Sequence, residues 1–298
     1  MLQYSKGPLG RAWVLLLAAA GTLAATAGPA SAAVPGIVRV SAASATDSAD
    51  FKSVTVTCPV GKQLIGTGYE VSGATGEVVV DDFRPNGGAA AAPTSVFVGA
   101  YEEDPLAASW TLTAYAICAN PLPGLVRISV TGALNSTDFH STTAACPAGK
   151  TLTGSGFEVN GATGEAVVDD FQPNGSALAA PTSVSVGAYE ADPDYLPNWS
   201  LTAYAICANP LPGLVRASIA DPATSDDFHS ASTVCPAGKV LTGTGFQLTG
   251  ATGEATVDDL RPSGSSVAAP TSQFTGAYEA DPNLVPTWSF TGYGICAT

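Results

Sequence analysis

The chain repeats one block of residues three times, and this repetition limits the folds open to it. Pro-Gly-Ile-Val-Arg at residues 35–39 returns as Pro-Gly-Leu-Val-Arg at residues 123–127 and 212–216. The starting positions 35, 123 and 212 are 88 and 89 residues apart. A fixed period of this length indicates that each repeat is one structural unit. The sequence therefore predicts three repeats, at residues 35–120, 123–209 and 212–298.

The first 32 residues predict a secretory signal peptide. Lys6 and Arg11 precede an apolar, alanine-rich segment, and no acidic residue accompanies them. The small residues Ala30-Ser31-Ala32 predict cleavage after Ala32. The apolar segment is short for a membrane span, and a turn-rich chain follows it. We therefore expect a secreted, extracellular protein with no membrane span in the mature chain.

The charge balance argues against nucleic acid as a partner. The whole chain has 11 Lys and Arg against 25 Asp and Glu, a formal charge of −14. Loss of Lys6 and Arg11 with the signal peptide changes this charge to −16. Phosphate binding depends on clustered cations, which such a chain lacks. The remaining candidate partners are a polysaccharide or another secreted or surface protein.

Six cysteines fall as one pair in each repeat. The pairs are Cys58 and Cys118, Cys146 and Cys207, and Cys235 and Cys296, separated by 60, 61 and 61 residues. In an exported chain this arrangement favours one disulfide within each repeat over free thiols. Zinc is a poor alternative because no histidine recurs in all three repeats to complete a ligand set. Each bridge is expected to stabilise its repeat by about 4 kcal/mol.

The pattern within a repeat is typical of β structure. Short stretches rich in Val, Thr and aromatic residues alternate with Gly, Pro and Asn-Gly turns, and no helical apolar period is present in the mature chain. The second repeat predicts six strands, at residues 125–130, 141–146, 151–159, 165–171, 183–190 and 199–207. Trp199 and its equivalents are predicted core residues, and a change of parity at Gly156-Phe157 indicates a β-bulge in the third strand. The predicted fold class is all-β, with three tandem, disulfide-stapled, antiparallel β-sandwich-like repeats.

Two arrangements of the repeats fit the sequence. Only Asn120-Pro121-Leu122 and Asn209-Pro210-Leu211 separate them, and such short, proline-rich joints are stiff. A repeat of about 88 residues with a core Trp and a disulfide is large enough to fold alone. We therefore expect three sandwiches in a row, and the alternative is a closed three-fold assembly in which the repeats share one core.

The repeat resembles known modules. Cys-Pro-Ala-Gly-Lys at residues 146–150 and the closing Ala-Ile-Cys-Ala at residues 205–208 look like repeat modules of secreted actinobacterial proteins of unknown function. This resemblance covers residues 35–298 and implies export and a disulfide-stapled β unit. A fainter similarity is to vitelline membrane outer layer protein, a three-fold β-prism with a Cys-Pro-x-Gly element. Because the repeat here is much longer, we do not expect the prism topology.

Paired aspartates recur in the fourth predicted strand of each repeat. They are Asp81 and Asp82, Asp169 and Asp170, and Asp258 and Asp259. Calcium prefers several carboxylate and carbonyl oxygens, so these residues are candidate calcium ligands. Their spacing matches no EF-hand loop. The alternative is a solvated acidic rim and no cofactor.

A Gly-Ala-Tyr-Glu element also recurs and provides the candidate ligand-binding residues. These are Tyr101 and Glu102, Tyr189 and Glu190, and Tyr278 and Glu279. An exposed aromatic ring beside a carboxylate suits a carbohydrate, since the ring covers the apolar sugar face. The alternative is a tyrosine packed across the strand with its hydroxyl hydrogen-bonded.

The sequence favours a non-enzymatic function. His140 and His229 are the only histidines, and the first repeat has Lys52 at the equivalent position. No Gly-x-Ser-x-Gly element or phosphate-binding loop is present in the mature chain. We predict a secreted tandem β-repeat protein that binds extracellular or cell-wall polysaccharide or forms part of the cell-surface matrix. The alternatives are a calcium-stabilised spacer or coat protein and, last, a glycoside-active enzyme with paired carboxylates.

Overall fold

The computed structural model describes residues 1–3, 34–88, 90–191, 198–280 and 285–298. The predicted signal peptide after its third residue, and the cleavage site after Ala32, lie outside these ranges. Each repeat forms six strands, and the described residues contain no helix. The predicted all-β class is confirmed, and the six strands predicted for the second repeat are all present with ends shifted by at most two residues.

The first repeat forms β1 (Val38–Ala43), β2 (Phe51–Thr57), β3 (Gln63–Ser72), β4 (Val78–Pro85), β5 (Ser95–Glu102) and β6 (Thr111–Ala119). The second forms β7 (Val126–Thr131), β8 (Phe139–Ala145), β9 (Thr151–Asn160), β10 (Ala166–Pro173), β11 (Ser183–Glu190) and β12 (Ser200–Ala208). The third forms β13 (Val215–Thr224), β14 (Phe228–Val234), β15 (Val240–Thr249), β16 (Ala255–Pro262), β17 (Ser272–Glu279) and β18 (Trp288–Ala297).

Each of the three sheets is shared by two repeats. The strand orders are β1-β6-β3-β16-β17-β14, β2-β5-β4-β9-β12-β7 and β13-β18-β15-β10-β11-β8. Every sheet thus joins the first, sixth and third strands of one repeat to the fourth, fifth and second strands of another. All neighbouring strands are antiparallel. Because each pair of repeats shares one sheet, the three repeats form a closed ring.

The junctions between repeats are short, and we call them seams. The first seam pairs β4 with β9, the second pairs β10 with β15, and the third pairs β16 with β3. Each seam consists of two residue pairs, such as Asp82 with Glu158 and Phe83 with Phe157 at the first. The seams therefore place the third and fourth strands of all repeats at the centre of the ring.

Within one repeat, the two groups of three strands pack face to face. In the first repeat β2 lies against β1 and β6, and β5 lies against β3 and β6. The Cys58–Cys118 disulfide joins the two layers, and Cys146–Cys207 and Cys235–Cys296 do the same in the other repeats. The predicted pairing and the sandwich-like repeat are confirmed. The three tryptophans are completely buried between the layers, as predicted.

The ring has a shared aromatic core. Tyr69, Phe157 and Phe246 from the third strands meet Phe83, Phe171 and Leu260 from the fourth strands. The ring centroids of Phe83, Phe157 and Phe171 lie 5.4 to 5.8 Å apart. These six side chains are at most 1% exposed. Each repeat therefore completes its core only with residues of both neighbours.

Three glycines allow the third strands to meet. A Cβ atom at Gly66 would lie 1.8 Å from the carbonyl oxygen of Thr242. At Gly154 the Cβ atom would lie 2.3 Å from the carbonyl oxygen of Ile65, and at Gly243 it would lie 2.5 Å from the carbonyl oxygen of Thr153. Each site faces the glycine of another repeat. Only glycine leaves room for backbones this close.

Two β-bulges in each repeat shape the sheets. In β9 the register shifts at Thr153, which confirms a bulge in the third strand but not its predicted position at Gly156-Phe157. The bulge lies next to Gly154 because that is where the three strands approach each other. The second bulge was not predicted and falls in the fourth strand, at Asp81, Asp169 and Asp258.

The arrangement in a row is therefore wrong, because the strand pairing produces the closed three-fold assembly. An isolated sandwich would leave the edges of its third and fourth strands unpaired, and the neighbouring repeats pair those edges instead. The two linkers therefore do not separate independent sandwiches. They converge beside Val34, where Leu122 and Leu211 help to line an apolar cavity of about 230 Å³. The Val34 amide also donates to the Thr298 carbonyl oxygen at 2.9 Å.

Candidate functional site

Each repeat carries a stacked pair of aromatic rings on the outer face of its sheet. Phe51 stacks on Tyr101 with ring centroids 4.4 Å apart, and the matching distances are 4.5 Å for Phe139 and Tyr189 and 4.4 Å for Phe228 and Tyr278. The three phenylalanines are 38 to 40% exposed. We call these pairs the first, second and third platforms.

Local strand pairing creates the platforms. Phe139 at the start of β8 lies directly opposite Tyr189 near the end of β11. Gly187 lies in β11, two residues before Tyr189. A Cβ atom at this position would be 3.2 Å from the Phe139 ring and 3.1 Å from an Asp170 oxygen. The missing side chain lets the phenylalanine ring lie across the strand. The repeated Gly-Ala-Tyr-Glu element therefore supplies both the ring and the space beside it.

The tyrosine and glutamate of this element lie on opposite faces. Tyr101 belongs to the outer face, whereas Glu102 is buried and accepts hydrogen bonds from Trp110 Nε1 at 2.8 Å and from the Leu106 amide at 2.7 Å. Glu190 and Glu279 accept equivalent bonds from Trp199 and Trp288, at 2.8 and 2.9 Å. Successive residues of a strand point in opposite directions, so the structure does not bring Tyr and Glu together. The glutamates anchor the core tryptophans.

A basic or imidazole side chain completes this buried cluster. The Lys52 ammonium lies 4.8 Å from the Trp110 ring centre. His140 and His229 take the same place, with ring centroids 4.0 and 4.2 Å from those of Trp199 and Trp288. Burial lowers the pKa of His140. Both histidines therefore pack on core tryptophans.

The paired aspartates also divide between two places. Asp81, Asp169 and Asp258 are buried, and each accepts a hydrogen bond from a glycine amide in the next repeat, at 3.0, 3.3 and 3.2 Å. Burial raises the pKa of all three, and that of Asp169 rises to about 8. Each of these aspartates is the bulged residue of its strand, and its hydrogen bond joins that strand to the neighbouring repeat.

Asp82 and Asp259 instead lie at the seams and pair with arginine. Arg84 Nε lies 3.2 Å from Asp82, and its Nη1 atom donates to Glu158 of the second repeat at 2.8 Å. Arg261 makes the equivalent contacts with Asp259 and Glu70, both at 3.0 Å. Among the described residues, no group of three or more His, Cys, Asp or Glu side chains is arranged to hold a metal ion.

The arginine that ends each opening block stacks on a tyrosine ring at a seam. Arg39, Arg127 and Arg216 lie 4.7, 4.8 and 4.6 Å from the ring centres of Tyr115, Tyr204 and Tyr293. At the third seam these residues border a groove of about 320 Å³, and the first seam has an equivalent groove. Sequence reasoning missed these clusters, although Arg recurs at the end of each opening block.

The second seam differs from the other two. Gln172 stands where the other repeats have Arg84 and Arg261, and Gln247 replaces a glutamate. Gln172 Nε2 donates to Tyr293 Oη at 2.9 Å and to Gln247 Oε1 at 3.2 Å. Hydrogen bonds between neutral groups thus replace the ion pairs, and Asp170 has no arginine beside it.

No described segment forms a helix that is long and apolar enough to cross a membrane. The three disulfides indicate folding in an oxidising compartment.

Comparison with known proteins identifies no relative by sequence. No protein-family model matches the chain, and no curated protein matches it. Among solved structures, it is similar to the major capsid protein P2 of bacteriophage PM2, with 10% identity, a TM-score of 0.23 and coverage of 57% of this chain and 98% of that chain. It is also similar to the triple jelly-roll protein of an archaeal virus turret, with 10% identity, a TM-score of 0.17 and coverage of 89% and 90%. These scores are too low to carry an argument about function.

Proposed function

We propose that the protein is secreted and non-enzymatic, and that its three platforms bind extracellular or cell-wall polysaccharide. The observation that carries the proposal is the repetition of a partly exposed Phe–Tyr stack at three equivalent positions. A protein gains nothing in stability from leaving such rings exposed, because their burial would be favourable. Stacking on the apolar face of a sugar is a use that suits this exposure.

The surroundings of the rings support a sugar ligand. Aromatic side chains with a polar end combine apolar contact area with a hydrogen-bonding group. The hydroxyl groups of Tyr101, Tyr189 and Tyr278 form no hydrogen bond with another residue in the described part of the chain. Three weak sites on one molecule would gain affinity for a polymer that repeats its ligand.

The test is co-sedimentation of the exported chain, from Ala33 onward, with insoluble cell-wall and polysaccharide preparations. Replacement of Tyr101, Tyr189 and Tyr278 by Ala is expected to remove saturable binding, because stacking is lost. Replacement of the same residues by Phe is the matched control and should retain most binding. The thermal unfolding midpoint must stay similar in both variants. Undiminished binding by the alanine variant would show that the platforms are not the site.

A further inference from the structure

Carboxylates surround each platform. Asp50, Asp138 and Asp227 are exposed and directly precede the platform phenylalanines in the chain. Asp82, Asp170 and Asp259 lie on the strand adjacent to the platform tyrosine. Each aspartate is paired directly with a glycine, and the tyrosine follows that glycine by two residues. Burial and nearby aspartates raise the pKa of Tyr101, Tyr189 and Tyr278. A ligand on a platform therefore meets negative charge on two sides.

Every cation of the exported chain has a partner within the protein, and two of them, Arg84 and Arg261, pair with platform aspartates. All five arginines lie at the seams, stacked on aromatic rings or paired with carboxylates. Lys62, Lys150 and Lys239 donate to the carbonyl groups of Gly36, Gly124 and Gly213. Lys52 pairs with Asp47. With a formal charge of −16 after loss of the signal peptide, the protein surface favours a ligand of positive charge.

The second platform carries the least compensated charge. Asp82 and Asp259 each have an arginine within 3.2 Å, whereas Asp170 has Gln172 at the equivalent position. Within the described ranges, the Oδ1 atom of Asp170 has no hydrogen-bond partner. Burial raises the pKa of Asp170, and a hydrogen bond with Gln247 opposes this shift where an arginine does so for Asp82 and Asp259. The second platform is thus the one that gains most from a cationic ligand.

We infer that the platforms bind a polysaccharide whose sugars carry free amino groups, with the ammonium group between the aromatic rings and the flanking carboxylates. The inference rests on the proposed polysaccharide binding and adds the chemical class of the sugar. An ammonium group is attracted by the face of a Phe or Tyr ring and by nearby carboxylates. A neutral sugar would gain from the rings alone, whereas an ammonium group also gains from the negative charge of the flanking carboxylates.

The test compares chitosan beads with chitin beads. Both are chains of the same sugar, but the amino groups are free in chitosan and acetylated in chitin. In a buffer that keeps the amines protonated, the exported chain should bind chitosan about tenfold more tightly than chitin. Equal binding would overturn the amino-group inference and leave polysaccharide binding standing. Binding to neither polymer, nor to any cell-wall preparation, would overturn both.

Matched variants separate a specific site from general charge attraction. Asp138→Asn removes the exposed charge at the second platform, whereas Asp104→Asn removes an exposed charge in the loop after β5, outside the strands that carry the first platform. The first variant should lose about threefold to tenfold in chitosan affinity, and the second should lose little. Tyr189→Ala should weaken binding more than Tyr101→Ala or Tyr278→Ala. Equal losses in the two Asn variants, or equally tight binding of chitosan by the triple Tyr→Ala variant and the wild type, would reduce the effect to net charge and overturn the inference.

Discussion

Three aspartates place a titratable carboxyl group at every contact between neighbouring repeats. Asp81, Asp169 and Asp258 lie at β-bulges with their side chains buried, and each accepts a hydrogen bond from a glycine amide of the next repeat. Because burial raises their pKa, the folded protein holds protons that the unfolded chain releases above the ordinary carboxyl range near 3.8. Stability from these groups is complete below that range and is lost as the pH rises through the folded pKa, which is about 8 for Asp169.

The protein should therefore unfold more easily at mildly alkaline pH than at mildly acidic pH. Each carboxyl contributes a slope of up to about 1.4 kcal/mol per pH unit within its window. The measurement is the urea midpoint across that window for the wild type and for Asp169→Asn, which should have a flatter profile. His140, whose pKa is lowered, acts in the opposite direction below its ordinary range near 6.5. A wild-type profile as flat as that of Asp169→Asn would contradict the prediction.

Glu102 shows why the glutamates of the repeated element are buried. Its carboxylate accepts from both the Trp110 ring and the Leu106 amide. Glu102→Ala should lower the free energy of unfolding by about 1–3 kcal/mol for each donor left without an acceptor. Glu102→Gln keeps one carbonyl oxygen and should lose less. Chemical unfolding of both variants checks this, and equal stability of Ala, Gln and wild type would contradict it.

Among the strands, the close approach of the three third strands sets a sharp requirement at Gly154. A Cβ atom at Gly154 would lie 2.3 Å from the Ile65 carbonyl oxygen and 2.6 Å from the Gly66 Cα atom. Gly154→Ala should destabilise the fold by at least about 3 kcal/mol, because two backbones must separate. Gly88→Ala is the control, since nothing lies within 4 Å of a Cβ atom there. Calorimetric unfolding distinguishes them, and similar midpoints would be inconsistent with the close packing.

At the scale of the whole molecule, the repeats depend on each other. The second repeat alone, residues 123–209, would expose Phe157 and Phe171 at the open edges of β9 and β10. We expect it to be either unfolded or trimeric, with copies taking the places of the other two repeats. Analytical ultracentrifugation and amide exchange check this. A folded monomer would contradict the shared core, and the chain of residues 33–298 is the control.

The closed ring also affects how a polymer is bound. The three platforms lie on three different sheets, so they do not form one continuous track. Under the proposed function, the protein should cross-link separate polymer chains and turn a solution of a bound polysaccharide turbid. A variant with Tyr101→Ala and Tyr278→Ala should still bind through its remaining platform but form no network. Light scattering and a binding isotherm, measured on the same samples, separate these two effects.

Local sequence patterns were enough to predict the strands and the layers within one repeat. Alternating residues predicted the six strands, and the paired cysteines and core tryptophans predicted how the two layers are joined, because these patterns involve residues of one repeat. Recurrence also pointed to the tyrosines of the Phe–Tyr stacks, and their role in binding stays a prediction. The adjacent glutamates were predicted to face the ligand, but they are buried. The alternation of residues along a strand does not show which face of the strand is buried when both faces carry apolar side chains.

How the repeats combine depends on contacts between residues that are far apart in the chain. A short seam of two residue pairs has no distinct sequence pattern, since its partners lie far apart in the chain and in different repeats. The seam arginines and bulged aspartates acquire their roles only through those partners. Strand formation follows from local alternation, whereas the closed ring follows from pairing open sheet edges and burying an aromatic core that no single repeat can complete.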